Sequence, residues 1–241
     1  MNPKDRLIVA LDVNSEEKAA ALVAKLKGDV KIFKIGLELF SSCGPGIIDA
    51  VRKNGRGLFL DLKFHDIPNT AAKAAAAVTR PGVSMFNVHA LGGYEMMKRA
   101  AEAVKKEAAR LNIERPKILA VTILTSATEN DLKKLGINDN MKSVVLRLAG
   151  LAKDAGLDGV VASGEEAKDI KKDCGKDFLV VTPGVRPSWA KAGDQRRVVT
   201  PSEAIKAGAD YIVVGRPVIE APDPVEAARK ILREIDDIAA G

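Results

Sequence analysis

Apolar residues in this chain fall in short, almost unbroken runs rather than in strict alternation. LIVAL at 7–11, VKIFKI at 30–35, GLFL at 57–60, MFNV at 85–88, ILAVTIL at 118–124, GVVA at 159–162, FLVV at 178–181 and YIVV at 211–214 each have the length and content of a strand. A strand apolar on both faces is buried on both faces, which is the pattern of a parallel sheet. Helical patterns separate the runs. Ser15 is placed to cap a helix ending near Lys27, and further helices are expected at about 45–53, 70–78, 94–111, 129–135, 141–155, 165–172, 202–207 and 224–239. Asn69 or Thr70 is the expected cap of the helix at 70–78, and Arg80-Pro81-Gly82 its stop. The first run follows directly on the N-terminal residues, with no helix expected before it.

Eight strand–helix units in 241 residues predict an α/β fold, a single-domain (β/α)8 TIM barrel spanning residues 1–241. The competing arrangement is an open doubly wound sheet. Two features favour the barrel: no Gly-rich dinucleotide turn follows the first run, and no linker or composition shift divides the chain.

In such a barrel, polar residues at the C-terminal ends of the strands face the active site. Taken in order these are Asp12, Lys34, Asp61, Lys63, His89, Thr125, Pro183 and Arg216, with Asp66 just beyond the third strand. Asp61 and Lys63, two residues apart, share a face if the pleat continues to the strand end. The pleat does not fix the direction of Asp66, and Pro68 keeps Ile67 out of helical geometry. An Asp-x-Lys pair by itself is an ordinary structural ion pair, and a lone histidine such as His89 is most simply a hydrogen-bonded structural residue. His65 has no assigned role. Acids and bases alternating around one mouth are not explained by packing. A lysine kept charged by carboxylates can donate a proton, and the carboxylates put a negative field on any substrate anion beside them.

A second cluster lies late in the chain. Thr182-Pro183-Gly184-Val185-Arg186 closes the seventh strand and Gly215-Arg216 the eighth, and loops at these positions of a barrel commonly hold phosphate. Gly215 lets the backbone approach an anion, and Arg216 can grip it with two N–H groups. Residues 187–200, with the single Trp and with Gln195, Arg196 and Arg197, read as a lid over that phosphate.

Composition alters this picture only slightly. Aromatics are 4% of the chain against 46% hydrophobic residues, so the core must be aliphatic. The net charge of +6 suits an anionic substrate, but by itself is more simply the bias of an ordinary soluble surface. Nucleic-acid binding is not expected, because there is no basic arm or interleaved aromatic pattern. The two histidines show no ligand spacing, and although Asp12 and Asp61 offer oxygen ligands, Lys34 and Lys63 would repel Mg²⁺; no metal is expected. Cys43 and Cys174 make no disulfide framework. No signal peptide or membrane-spanning stretch is visible, and a cytoplasmic protein is expected.

Asp61-Leu62-Lys63-Phe64-His65-Asp66-Ile67-Pro68-Asn69-Thr70 resembles the signature of the orotidine 5′-monophosphate decarboxylase family. The resemblance extends to Ala10-Leu11-Asp12, Lys34-Ile35-Gly36, Asn87-Val88-His89, the stretch 121–126, 182–186 and Val214-Gly215-Arg216. It implies cofactor-independent loss of CO2 from C6 of orotidine 5′-monophosphate to give UMP, the last step of de novo pyrimidine nucleotide biosynthesis. Lys63 would protonate C6 and Asp61 would crowd the leaving carboxylate. Lys34 and Asp12 would hold the ribose hydroxyls and orient the charges, and Thr125 would meet the pyrimidine edge. Gln195, Gly215 and Arg216 would hold the 5′-phosphate, with Pro183 and Arg186 nearby. The resemblance also implies a homodimer with shared active sites, in which Asp66, Ile67 and Thr70 of one subunit serve the other. The short Asp-x-Lys-x-x-Asp core occurs in sugar-phosphate relatives too, so a metal-dependent sugar-phosphate decarboxylase or lyase is the alternative.

Overall fold

The computed structural model describes residues 2–53, 57–190 and 198–239. The strands are β1 (Leu7–Ala10), β2 (Ile32–Gly36), β3 (Gly57–Phe64), β4 (Val83–His89), β5 (Lys117–Val121), β6 (Gly159–Val161), β7 (Leu179–Thr182) and β8 (Tyr211–Val214). They pair in sequence order, all parallel, and β8 closes on β1. Ile8 on β1 is in register with Ile32 on one side and Val213 on the other. That two-sided pairing makes the sheet a barrel rather than an open doubly wound sheet.

The unbroken apolar runs are explained by where their two faces go. Ile8, Ala10, Phe59, Met85, Leu119, Val121, Val161, Val181 and Val213 point inward and fill the barrel. Leu7, Val9, Phe33, Ile35, Leu58, Leu60 and Phe86 point outward, into the layer shared with the helices. Each such side chain taken from water contributes about 1.5–3 kcal/mol, so neither face can be polar without loss.

Local chemistry sets most helix boundaries. Ser15 accepts a hydrogen bond from the Lys18 N–H and opens the helix Glu16–Leu26. The helix after β3 differs from expectation, running from Pro68 to Val78 with Ile67 as its cap. Asn69 and Thr70 therefore lie inside its first turn. Pro68 is preset for the first helical position and has no N–H to satisfy, so a side-chain cap is not needed there. β5 stops at Val121, short of the expected 124, and Thr122 instead hydrogen-bonds the Val161 carbonyl at 3.1 Å through its hydroxyl. Residues 123–126, beyond it, line the cavity at the mouth. The short helices Pro3–Arg6, Leu37–Cys43 and Arg216–Ile219 were not expected; two turns or fewer leave no readable periodicity. Among the described residues, no helix is long and apolar enough to cross a membrane.

Candidate active site

The strand ends of β1, β2 and β3 bring four charges into one chain of contacts. The Lys34 ammonium lies 3.2 Å from Asp12 and 3.3 Å from Asp61. The Lys63 ammonium donates to the other oxygen of Asp61 at 2.7 Å. The order is acid, base, acid, base, with no net charge. Burial pushes the Lys34 amine down, but the carboxylates of Asp61 and Asp12 together outweigh it and hold it above its ordinary value. Burial likewise pushes the Asp61 carboxyl up, but Lys34, Lys63 and hydrogen bonds from Lys63 and Asn87 hold it below the usual carboxylate range. Asp61 is thus an anion and Lys34 a cation throughout the neutral range. Gly36 packs against them: a Cβ there would sit 2.7 Å from the Lys34 Nζ and would push the ammonium aside.

The expected pleat is not what places Lys63. β3 continues past Leu60 but breaks register with β4, and Lys63 adopts φ +51°. The two side chains still meet, by way of a bulge. Asn87, which sequence reasoning placed in a family motif without giving it a role, spans that bulge. Its carbonyl oxygen accepts from the Lys63 backbone N–H at 2.8 Å, and its amide donates to Asp61 at 2.7 Å. The available signal was a polar residue in the otherwise apolar run MFNV.

These groups open on a cavity of about 330 Å³ at the C-terminal mouth. Asp12, Lys34, Asp61, Lys63, Thr125, Pro183 and Gly215 all line it. A smaller polar lobe of about 60 Å³ adjoins it, between Asp12, Gly184, Arg186, Gly215 and Arg216. Asp12, Gly184, Val213 and Gly215 line both, and a Cβ on Gly215 would lie 3.0 Å from Asp12. The early and late sequence clusters therefore form one continuous site. Gln195 lies outside the described residues, as do Arg196 and Arg197. A larger hollow of about 740 Å³ lies at the opposite end of the barrel, among Gly57, Ser84 and Lys117, away from the strand ends where barrel enzymes place their chemistry.

Asp66, Ile67 and Thr70 are not brought into this cavity. The Asp66 carboxylate is exposed and accepts from the adjacent Ile67 N–H at 2.7 Å. Ile67 is 67% exposed, and Thr70 is exposed on the following helix. Asp66 and Ile67 border a shallow outer groove with His65, Pro68, Leu91 and Gly92. His65 stacks on His89, ring centroids 5.4 Å apart. Burial first, then the charges of His65 and Lys63, push the His89 imidazole below its ordinary value. Among the described residues, no group of three His, Cys, Asp or Glu side chains is placed to hold a metal ion.

Fold and mouth together define the class, a (β/α)8 barrel with lysine and carboxylate side chains gathered at the strand ends where barrel enzymes place their chemistry. Comparison with known proteins narrows the class. Residues 5–231 match the family described as Orotidine 5′-phosphate decarboxylase / HUMPS. The orotidine 5′-phosphate decarboxylase of Trichlorobacter lovleyi is 52% identical over 238 residues, covering 99% of this chain and 97% of that protein. Its counterpart in Syntrophotalea carbinolica is 53% identical over 232 residues, covering 96% and 95%. The crystal structure of orotidine 5′-phosphate decarboxylase from Lactobacillus acidophilus matches with a TM-score of 0.85 at 40% identity, over 96% of this chain and all of that one. The chain belongs to the orotidine 5′-phosphate decarboxylase / HUMPS family.

Proposed function

We propose that this protein decarboxylates orotidine 5′-monophosphate to UMP and CO2 without a cofactor, completing pyrimidine nucleotide synthesis in the cytoplasm. The observation that carries the reading is the alternating array Asp12–Lys34–Asp61–Lys63, which lines a cavity continuous with an arginine-bordered polar lobe. In the proposed step the C6–carboxylate bond breaks and CO2 leaves. The electron pair stays on C6 and takes a proton from the Lys63 ammonium, which regains one from solvent. No electron sink adjoins C6, so a fixed positive charge must stabilise the developing anion. Asp61, held ionised by Lys34, sets a negative charge beside the departing carboxylate, and that repulsion is relieved as the charge moves away.

The 5′-phosphate is assigned to the lobe formed by Gly215 and Arg216, with Pro183 and Arg186 beside it and Gln195 supplied by the loop. Its binding energy, remote from C6, can be spent on desolvating the reacting carbon. Asp12 and Lys34 take the ribose hydroxyls, and Thr125 the pyrimidine edge. Asp66, Ile67 and Thr70 are assigned to the site of a second subunit. Their exposure, and the shared groove of Ile67 with the exposed Leu91, support a homodimer formed through this face. A metal-dependent sugar-phosphate lyase would need a cation beside Asp12 and Asp61, where the Lys34 ammonium already sits. The test is to incubate the purified protein with orotidine 5′-monophosphate, with and without EDTA. UMP should form at the same rate in both. No UMP in either would sink the reading, and loss with EDTA would favour the metal enzyme.

A further inference from the structure

We propose that Asn87 is the positioning residue that sets the aim of the Lys63 ammonium and holds the Asp61 carboxylate beside it; the inference rests on the decarboxylase reading above. β3 and β4 pair Leu60 with Phe86 and Phe64 with Val88. Three residues of β3, Asp61 to Lys63, therefore face one residue of β4, Asn87. Such a bulge removes backbone groups from the ladder. The displaced Lys63 N–H is recovered by the Asn87 carbonyl oxygen at 2.8 Å. Lys63 is held at φ +51°, one of two non-glycine residues with positive φ among the described residues. A bulky side chain in that region costs on the order of 1–3 kcal/mol, and persists only where the surroundings over-determine it.

The other end of the same amide donates to the Asp61 oxygen that also accepts from Lys63. Asn87 thus grips both members of the reacting pair, one by its backbone and one by its carboxylate. The task needs an acceptor and a donor on separate atoms of one short side chain, which the Asn amide supplies. It also settles the orientation of the amide: flipped, it would set N–H against N–H and oxygen against carboxylate. Asn87 is fully buried and is not among the described residues lining the cavity. It touches the reacting groups and not the substrate, so its loss should be felt in turnover rather than in substrate binding.

Asn87→Ala and the near-isosteric Asn87→Asp test this. Misplacing a reacting group by about 1 Å costs on the order of 100-fold, so kcat should fall roughly 10- to 100-fold in Asn87→Ala, with KM and UMP affinity within about threefold of wild type. Asn87→Asp sets a second carboxylate against Asp61 and should fall further, with the acid limb of its kcat profile moved to higher pH. If Asn87→Ala does not fold, Asn87→Asp alone carries the kinetic test. A readout independent of turnover is the ¹³Cγ titration of Asp61, whose midpoint should rise in each variant. Turnover within threefold of wild type, a parallel change in KM, or an unmoved Asp61 titration overturns the proposal. Should wild type itself make no UMP, the decarboxylase reading fails, and the Asp61 titration still judges Asn87.

Discussion

Replacing Lys63 by alanine removes the proposed proton donor while leaving the rest of the array standing. A positioned proton donor contributes about 10²- to 10⁴-fold, and a preorganised charge at the developing anion about 10²- to 10³-fold. If the two act separately, the rate falls by roughly 10⁴- to 10⁷-fold. The fold should lose far less. Asp61 keeps the Asn87 amide at 2.7 Å and the Lys34 ammonium at 3.3 Å. The Lys63 side chain is 28% exposed, so water can replace much of what it gave Asp61. A loss of about 1–2 kcal/mol is expected, at the lower end of a charge-assisted hydrogen bond, lowering the Tm by about 2–8 °C. The assay is UMP formation from orotidine 5′-monophosphate, alongside thermal unfolding and calorimetric binding of UMP. The prediction is a folded protein that binds UMP and does not turn over. Turnover within tenfold of wild type would refute the proton-donor role, and parallel loss of UMP binding would show that Lys63 serves binding instead. A pH signature accompanies this. Asp61 is held below its usual range, so its stabilisation is present above the unfolded value near ~3.9 and is lost as pH falls through the folded value. With one of its two cations removed, that loss should begin at a higher pH in the variant.

Lys34→Met keeps the volume but leaves Asp12 and Asp61 without the buried ammonium between them. Thermal unfolding should show a loss of about 3–5 kcal/mol, and a Tm unchanged within error would mean that the lysine contributes nothing net. Because Lys34 is held above its ordinary value, its contribution is present below the unfolded lysine value near ~10.4 and disappears as pH rises through the folded one; the gap between wild type and Lys34→Met should therefore persist from pH 7 to 9 and close only at more alkaline pH. His89 is shifted the other way, so its cost is absent above the unfolded histidine value near ~6.5 and grows as pH falls toward the folded value. Between pH 7 and 5, wild type should lose stability faster than His89→Gln in chemical denaturation, and parallel curves would contradict this. For the shared site, Lys63→Ala and Asp66→Ala subunits, each inactive alone, should recover activity on mixing through hybrids with one intact site; no recovery despite verified subunit exchange would exclude the cross-subunit role of Asp66.

The eight strands, their parallel arrangement and the roster of charges at their ends were legible in the chain because each depends on local pattern. A strand buried on both faces is apolar at nearly every position, as in LIVAL and YIVV, and the polar residues that follow or interrupt such runs, such as Asp12 and Lys34, mark where the strand reaches the mouth. Family resemblance attached roles to Lys63, Asp61 and Asp66 that spacing alone left open. Other features depended on contacts distant in sequence. Closure of β8 onto β1 joins residues about 200 positions apart, and no local pattern records it. The pleat rule put Asp61 beside Lys63 for the wrong reason: a bulge and a left-handed Lys63 make the contact, and Asn87, some 24 residues on, holds it. That Asp66, three residues from Lys63, borders the outer groove and not its own cavity was seen only in the tertiary structure. Strand identity is a property of neighbours along the chain, whereas the aim of an ammonium is settled by hydrogen bonds between the neighbouring strands β3 and β4, and those exist only once the two have paired.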